Sequence, residues 1–148
     1  MKNISEVVEK LRVALETRNY ESYVDCFAED GVLELPFAVQ NSPSRFEGID
    51  NIRERFGEKS QLHSVNKLFE LYKVNAVAHQ RIDPNTVIVE FDIAGKNIAT
   101  GDVFSLSSSI AVIRFKEGKI VNHRDYPNTM GLSGAIGLLP QLAASLTR

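Results

Sequence analysis

Four runs rich in β-branched and aromatic residues crowd the second half of the chain, at about 68 to 82, 86 to 94, 102 to 116 and 119 to 126, with only turn-sized gaps between them. The breaks are Asp83-Pro84-Asn85, the bend from Gly95 to Gly101, and Glu117-Gly118, each rich in residues that tolerate tight or left-handed backbone. Connections this short cannot carry a crossover, so the pattern predicts long strands in an antiparallel meander.

The first half has a different period. Ile4, Val7, Val8, Leu11 and Leu15 recur at helical spacing, which predicts an amphipathic helix over 4 to 17. Asn19 can cap a second helix, whose inward stripe is Tyr20, Tyr23, Val24 and Phe27 and which ends near Asp30-Gly31. A short strand, Val32 to Leu35, stops at Pro36, and residues 36 to 44 read as a loop. Arg45-Phe46-Glu47 and a turn at Gly48 then lead into a third helix from Asp50 to Gly57. Helices gathered early and strands gathered late predict an α+β layer architecture, α-α-β-β-α followed by four strands. The tail from Thr129 carries Leu132, Ile136, Leu139, Leu142 and Leu146 at three- and four-residue spacing, interrupted by Pro140. It predicts one or two short helices, laid over an open end of the fold or packed on a partner.

Several function classes are disfavoured by composition. With 148 residues and 43% hydrophobic content, the chain predicts a single globular domain over 1–148. Its formal net charge is −2 and no Lys/Arg cluster falls on a predicted helix, so a nucleic-acid partner is not expected. No apolar run reaches the length of a signal or membrane segment, and the expected location is cytoplasmic, with no membrane partner. The one cysteine, Cys26, lies on an apolar helical stripe and reads as a core residue. Three histidines far apart in sequence give no metal-ligand spacing, so no metal site and no cofactor are expected.

The last predicted strand is unusual. In Gly118-Lys119-Ile120-Val121-Asn122-His123-Arg124-Asp125-Tyr126-Pro127-Asn128, a period of two puts Val121, His123 and Asp125 on one face and Asn122, Arg124 and Tyr126 on the other. Two readings fit: an edge strand with a wet face, or an imidazole and an acid directed into a cavity as a proton-handling pair.

Three strings carry a resemblance that spans nearly the whole chain. They are Tyr23-Val24-Asp25-Cys26-Phe27-Ala28-Glu29-Asp30-Gly31-Val32-Leu33-Glu34-Leu35-Pro36, then Arg45-Phe46-Glu47-Gly48-Ile49-Asp50-Asn51-Ile52-Arg53, and Gly118-Lys119-Ile120-Val121 before the last strand. With the order of elements, they resemble the nuclear transport factor 2-like superfamily, and within it the SnoaL-like and ketosteroid-isomerase-like proteins. The resemblance implies a cone-shaped α+β fold, a curved antiparallel or mixed sheet wrapped over the N-terminal helices around one apolar pocket, often in a homodimer joined through the outer sheet face. The catalytic positions of ketosteroid isomerases fall here on Leu35 (general base), Leu11 (tyrosine) and Ala111 (oxyanion-hole aspartic acid). All three are apolar, so that mechanism is not expected. Asp125 instead resembles in location the aspartate of SnoaL-like polyketide cyclases and of limonene epoxide hydrolases of related fold.

Strand parity predicts the rest of the pocket. Ser105, Ser107, Ser109 and Ala111 share a face of the strand 102 to 116, as do Val87, Val89 and Phe91 of the strand 86 to 94. Tyr23, Phe27, Leu35, Phe37, Phe46 and Phe56 are expected to close the sides, or to serve only as core. His63 either reaches the pocket mouth or stands in solvent, and Arg45 either holds an anionic group or pairs with a surface carboxylate. Leu106, Ile110 and Val112 alternate on the opposite face and predict a homodimer contact.

Three functions remain in view. The first is a cofactor-independent isomerase, cyclase or hydrolase acting on a small hydrophobic carbonyl-bearing metabolite, with Asp125 as general acid or base and His123 as its hydrogen-bond partner or as a donor to a developing enolate. The second is a carrier that uses the pocket without chemistry. The third is a protein-interaction module whose recognition surface is the apolar tail.

Overall fold

The computed structural model describes residues 3–39, 42–79 and 83–147. Helix α1 (Ile4–Glu16) starts where the Asn3 side chain accepts the Glu6 N–H, and it buries Val7, Val8, Leu11 and Ala14 as one stripe. Asn19 caps α2 (Tyr20–Val24) in the same way, through the Ser22 N–H. That second helix is shorter than its sequence stripe predicts, because Phe27 already belongs to β1 (Phe27–Glu34). Pairing decides this. Phe27 lies opposite Ile120 and Leu33 opposite His123 in a parallel ladder with the last strand, with a register shift between Phe27 and Val32. Gly31 sits in that irregularity, where an added Cβ would come within 2.9 Å of the Ile120 carbonyl oxygen.

Next come β2 (Arg45–Glu47), α3 (Ile49–Arg55) and α4 (Gln61–Asn66). Helix α4 falls between the third expected helix and the first long strand, where the sequence pattern predicts no element. Ser60 caps it by accepting the His63 N–H, but none of its residues is buried, so it leaves no apolar stripe to read. Strands β3 (Phe69–Ala78), β4 (Thr86–Asn97), β5 (Val103–Lys116) and β6 (Lys119–Pro127) then form the expected meander. The predicted first strand continued to residue 82, and its last three residues lie outside the described ones. At the β5–β6 hairpin Lys116 faces Lys119, with Glu117 (φ 53°) and Gly118 (φ 77°) both left-handed, as a two-residue turn of this twist requires.

The six strands form one mixed sheet in the order β2-β1-β6-β5-β4-β3, with only β1 and β6 parallel. The helices cover its inner face. Arg12 ties α1 to the sheet by donating to the Val74 carbonyl (3.0 Å), while Glu16 accepts the Val74 N–H (2.9 Å). Leu11, Ile52, Val89, Ile113 and Ile120, each fully buried, anchor the core between the two layers. The tail forms two helices, α5 (Thr129–Ile136) and α6 (Leu139–Leu146). Asn128 turns the chain into α5: its N–H donates to the Ser108 carbonyl and its side-chain amide to the Ser107 carbonyl, while its Oδ1 caps Gly131.

One irregularity redistributes the side chains of β5. Phe91 pairs with Ser109 and Asp92 with Ser107, which leaves Ser108 as an extra residue in a bulge. The Ser108 hydroxyl donates to the Phe91 carbonyl at 3.0 Å. Beyond the bulge the parity inverts. Ser105 and Ser107 are therefore exposed, and Leu106, opposite Ile93, turns to the inner side. The serine wall expected from Ser105, Ser107 and Ser109 is corrected to the adjacent pair Ser108 and Ser109. The outward row of Leu106, Ile110 and Val112 keeps only its last two members.

Candidate functional site

Between the inner sheet face and the helices lies a cavity of about 210 Å³. Its closed side is aromatic, because α2 and the end of α3 bring three rings together. Phe56 stacks on Tyr20 with centroids 5.1 Å apart and meets Tyr23 edge-on at 4.9 Å. Opposite them stand Phe91 and Ile93 of β4 and the bulged pair Ser108 and Ser109 of β5. β6 contributes His123 and Asp125 from one strand face, as the period of two requires.

Those two groups have separate partners. His123 is buried, stacked on Phe27 (5.8 Å between centroids, 9° between planes), and its Nδ1 lies 3.4 Å from the Tyr23 hydroxyl. Burial lowers its pKa to about 4, so the imidazole is neutral at ordinary pH. The Tyr23 phenol, also buried, has its pKa pushed well up, so it keeps its proton. Asp125 borders the empty volume and is only half-buried as a residue, yet burial of its carboxyl raises the pKa to about 6 against the pull of the Arg55 guanidinium and a hydrogen bond from Ser109. Of the two roles expected for His123, that of hydrogen-bond partner to Asp125 is corrected, since its ring nitrogen meets Tyr23 instead. Two residues along one strand face hold them apart, and each finds a different neighbour.

Of the residues read from sequence as pocket lining, Tyr23, Phe56, Phe91 and Ser109 border the cavity together with His123 and Asp125. The others lie elsewhere. Phe27 backs His123 from the core, and Leu35 is buried beyond the wall, where Leu33 takes the lining position. Phe46 lies under Arg55, 5.6 Å from its guanidinium carbon. Phe37 is 70% exposed and packs edge-on against Tyr126, since the chain after Pro36 leaves the sheet. Ser107 faces outward because of the bulge, and His63 sits on α4 off the cavity wall, where Leu62 and Asn66 face in. Arg45 pairs with Glu34 (3.0 Å) and Glu47 (2.7 Å) on the surface.

Sequence reasoning missed two cations. Arg18 and Arg55 both border the cavity. For Arg55 a signal existed, since it lies three residues after the fully buried Ile52 on α3 and therefore on the inward stripe. Arg18 follows α1 in a left-handed conformation (φ 54°) that no helical pattern announces. A larger depression of about 370 Å³, lined by Glu34, Arg114 and Arg124 among others, opens on the outer sheet face. It is broad and open, whereas the inner cavity is enclosed by two layers of the fold and bordered by buried ionisable groups, so the chemistry points to the inner cavity. Among the described residues, no three His, Cys, Asp or Glu side chains are placed to hold a metal ion, and no helix is long and apolar enough to cross a membrane.

Comparisons with known proteins agree with this architecture. The chain is 31% identical over 133 residues to the uncharacterised protein YesE of Bacillus subtilis (strain 168), covering 89% of this chain and 86% of that one. A Bacillus subtilis crystal structure provisionally described as an isomerase superposes with a TM-score of 0.74 at 30% identity, over 90% of this chain and 92% of that one. A Catenulispora acidiphila protein with a ketosteroid isomerase-like fold, crystallised with trimethylamine, gives a TM-score of 0.67 at 15% identity over 95% and 98% of the two chains, a likeness of fold alone. The family model described as a SnoaL-like domain matches residues 8–123, a span from α1 to His123 that includes most of the cavity wall, and the chain belongs to the SnoaL-like domain family.

Proposed function

We propose that this protein catalyses proton transfer on a small, hydrophobic, carbonyl-bearing molecule, in an isomerase or cyclase type of reaction, with Asp125 as general base and acid. The observation that carries this reading is one carboxyl group on an otherwise largely apolar wall, with its pKa raised to about 6 by burial. A carboxyl with a pKa near neutrality accepts and returns a proton with little driving-force penalty in either direction. The neutral Tyr23–His123 pair, on the same wall, supplies a hydrogen-bond donor for the oxygen on which enolate charge develops. The description of a 30% identical Bacillus subtilis structure as an isomerase supports the same reaction class.

The test uses cyclohexanone as a minimal probe, with exchange of its α-hydrogens in deuterated buffer followed by NMR. The protein should accelerate exchange above buffer, and Asp125→Asn should reduce that acceleration by roughly two orders of magnitude or more. Equal exchange by both proteins removes the catalytic role and leaves a carrier that uses the same cavity. We further propose that two copies pair through the outer sheet face, where Val77, Ile88 and Ile110 are each about half exposed (51%, 45% and 46%).

A further inference from the structure

We infer that the cavity is built for a ligand bearing a carboxylate, which the Arg55 guanidinium receives; this rests on the reading above that the cavity holds a small molecule. The two arginines at the cavity differ in how far their donors are used. Arg18 donates to the carbonyls of Asn66 and Phe69, both at 2.9 Å, and lies 4.7 Å over the Phe69 ring, so it is fixed into the wall. The Arg55 guanidinium lies over Phe46 and makes no hydrogen bond to any described residue. A guanidinium carries five N–H donors in a planar fork. Among the described residues the one buried side-chain nitrogen without a partner is the Arg18 Nε, so the Arg55 donors are not sealed away, and an acceptor that enters the cavity can take them without breaking a bond within the protein.

The charges facing the cavity point the same way. Its titratable groups are Arg18, Tyr20, Tyr23, Arg55, His123 and Asp125. Both tyrosines keep their protons and His123 is neutral, so two fixed positive charges face one acid, and Asp125 forms no ion pair within 4.0 Å of Arg55. The site is net positive whether or not Asp125 is ionised. An incoming anion relieves that imbalance, and a planar carboxylate matches the fork of Arg55 with two parallel hydrogen bonds.

Size narrows the class further. An apolar cavity of about 150 Å³ holds benzene, and this cavity is about 210 Å³. One six-membered ring against Phe56 and Phe91, with a single carboxylate toward Arg55, fills that space. Asp125, across the same cavity, is then free to meet a carbon acid on the ring.

Benzoate and its neutral isostere benzamide separate the possibilities, with binding followed by isothermal calorimetry at pH 7.5. The natural protein should bind benzoate about tenfold or more tightly than benzamide. Arg55→Met should bring the two affinities within about twofold, and Arg55→Lys, which keeps the charge without the fork, should fall between. A preference for benzamide in the natural protein, or a preference for benzoate that survives Arg55→Met, overturns the inference while leaving the cavity reading intact. If neither probe binds, the small-molecule reading of the cavity falls, and this inference falls with it.

Discussion

Each face of this one sheet carries a few residues that run against the usual sorting. On the inner face, behind walls of Phe56, Phe91 and Leu33, sit an acid and an imidazole whose pKa values are moved in opposite directions toward neutrality of charge. On the outer face Val77, Ile88 and Ile110 stand half exposed, on the same side of the sheet as Arg114 and Arg124. Burying a polar group costs free energy, and exposing apolar area forgoes it. This fold does both on the same strands, which is a cost at Asp125 and His123 inside and at the half-exposed aliphatic row outside. The contrast is the one that the proposed catalytic cavity and the proposed pairing face both draw on.

The sharpest way to break the contrast is volume. Ile113 is fully buried on the inner face of β5, while Ile110 is half exposed on the outer face of the same strand. Ile113→Ala should cost about 3 kcal/mol in urea unfolding, and Ile110→Ala under about 0.5 kcal/mol in a dilute monomer. Similar losses at both positions would mean that the faces are not distinct.

The second test is charge on the inner face. A carboxyl whose folded pKa is raised favours the folded state while protonated, and that stability is lost as pH rises from its unfolded value near 3.8 through about 6. Asp125→Asn escapes the loss. It should therefore be more stable than the natural protein by roughly 2 kcal/mol at pH 7.5, with the gap closing by pH 4. His123 acts with the opposite sign, since its lowered pKa removes stability as pH falls from 6.5 through about 4, but it is common to both proteins and drops out of the difference. Parallel pH profiles would show that the Asp125 carboxyl is solvated.

The smallest effect concerns the outer face. Glu90 pairs with Ile110 in the register of β4 and β5, so Ile110→Asp puts a second carboxylate beside it. If two copies meet there, over an area of at least about 1,000 Å² as stable contacts require, the variant should weaken association about tenfold or more in sedimentation equilibrium. A natural protein that sediments as a monomer at micromolar concentration ends the pairing proposal.

Most of the sheet was legible because its signals are local. Turn residues fixed the connections, and the period of two placed His123 and Asp125 on one face, which the structure repeats. The misses have physical causes. Ser108 looks like its neighbours in sequence, and only its pairing with β4 makes it the extra residue that turns Ser107 outward. Phe27 satisfies a helical stripe and a strand equally well, and the ladder to Ile120 decides between them. Leu62 and Asn66 face the cavity from a helix with no buried residue, so no apolar pattern could announce them. Arg55 was readable in principle, as a charged residue on an inward helical stripe.

Strand β6 is paired with β5 along its length and with β1 as far as Arg124, one residue short of Asp125. Backbone amides hydrogen-bonded between two neighbours open only with large parts of a fold, whereas short, weakly buried helices fray on their own. Helix α3 buries only Ile52, and α4 buries nothing. Asp125 is thus carried by a strand held in the sheet, and Arg55 by a helix with one buried residue. Amide exchange in α3 and α4 should accordingly outpace exchange in β6, so that Arg55 shifts more readily than Asp125.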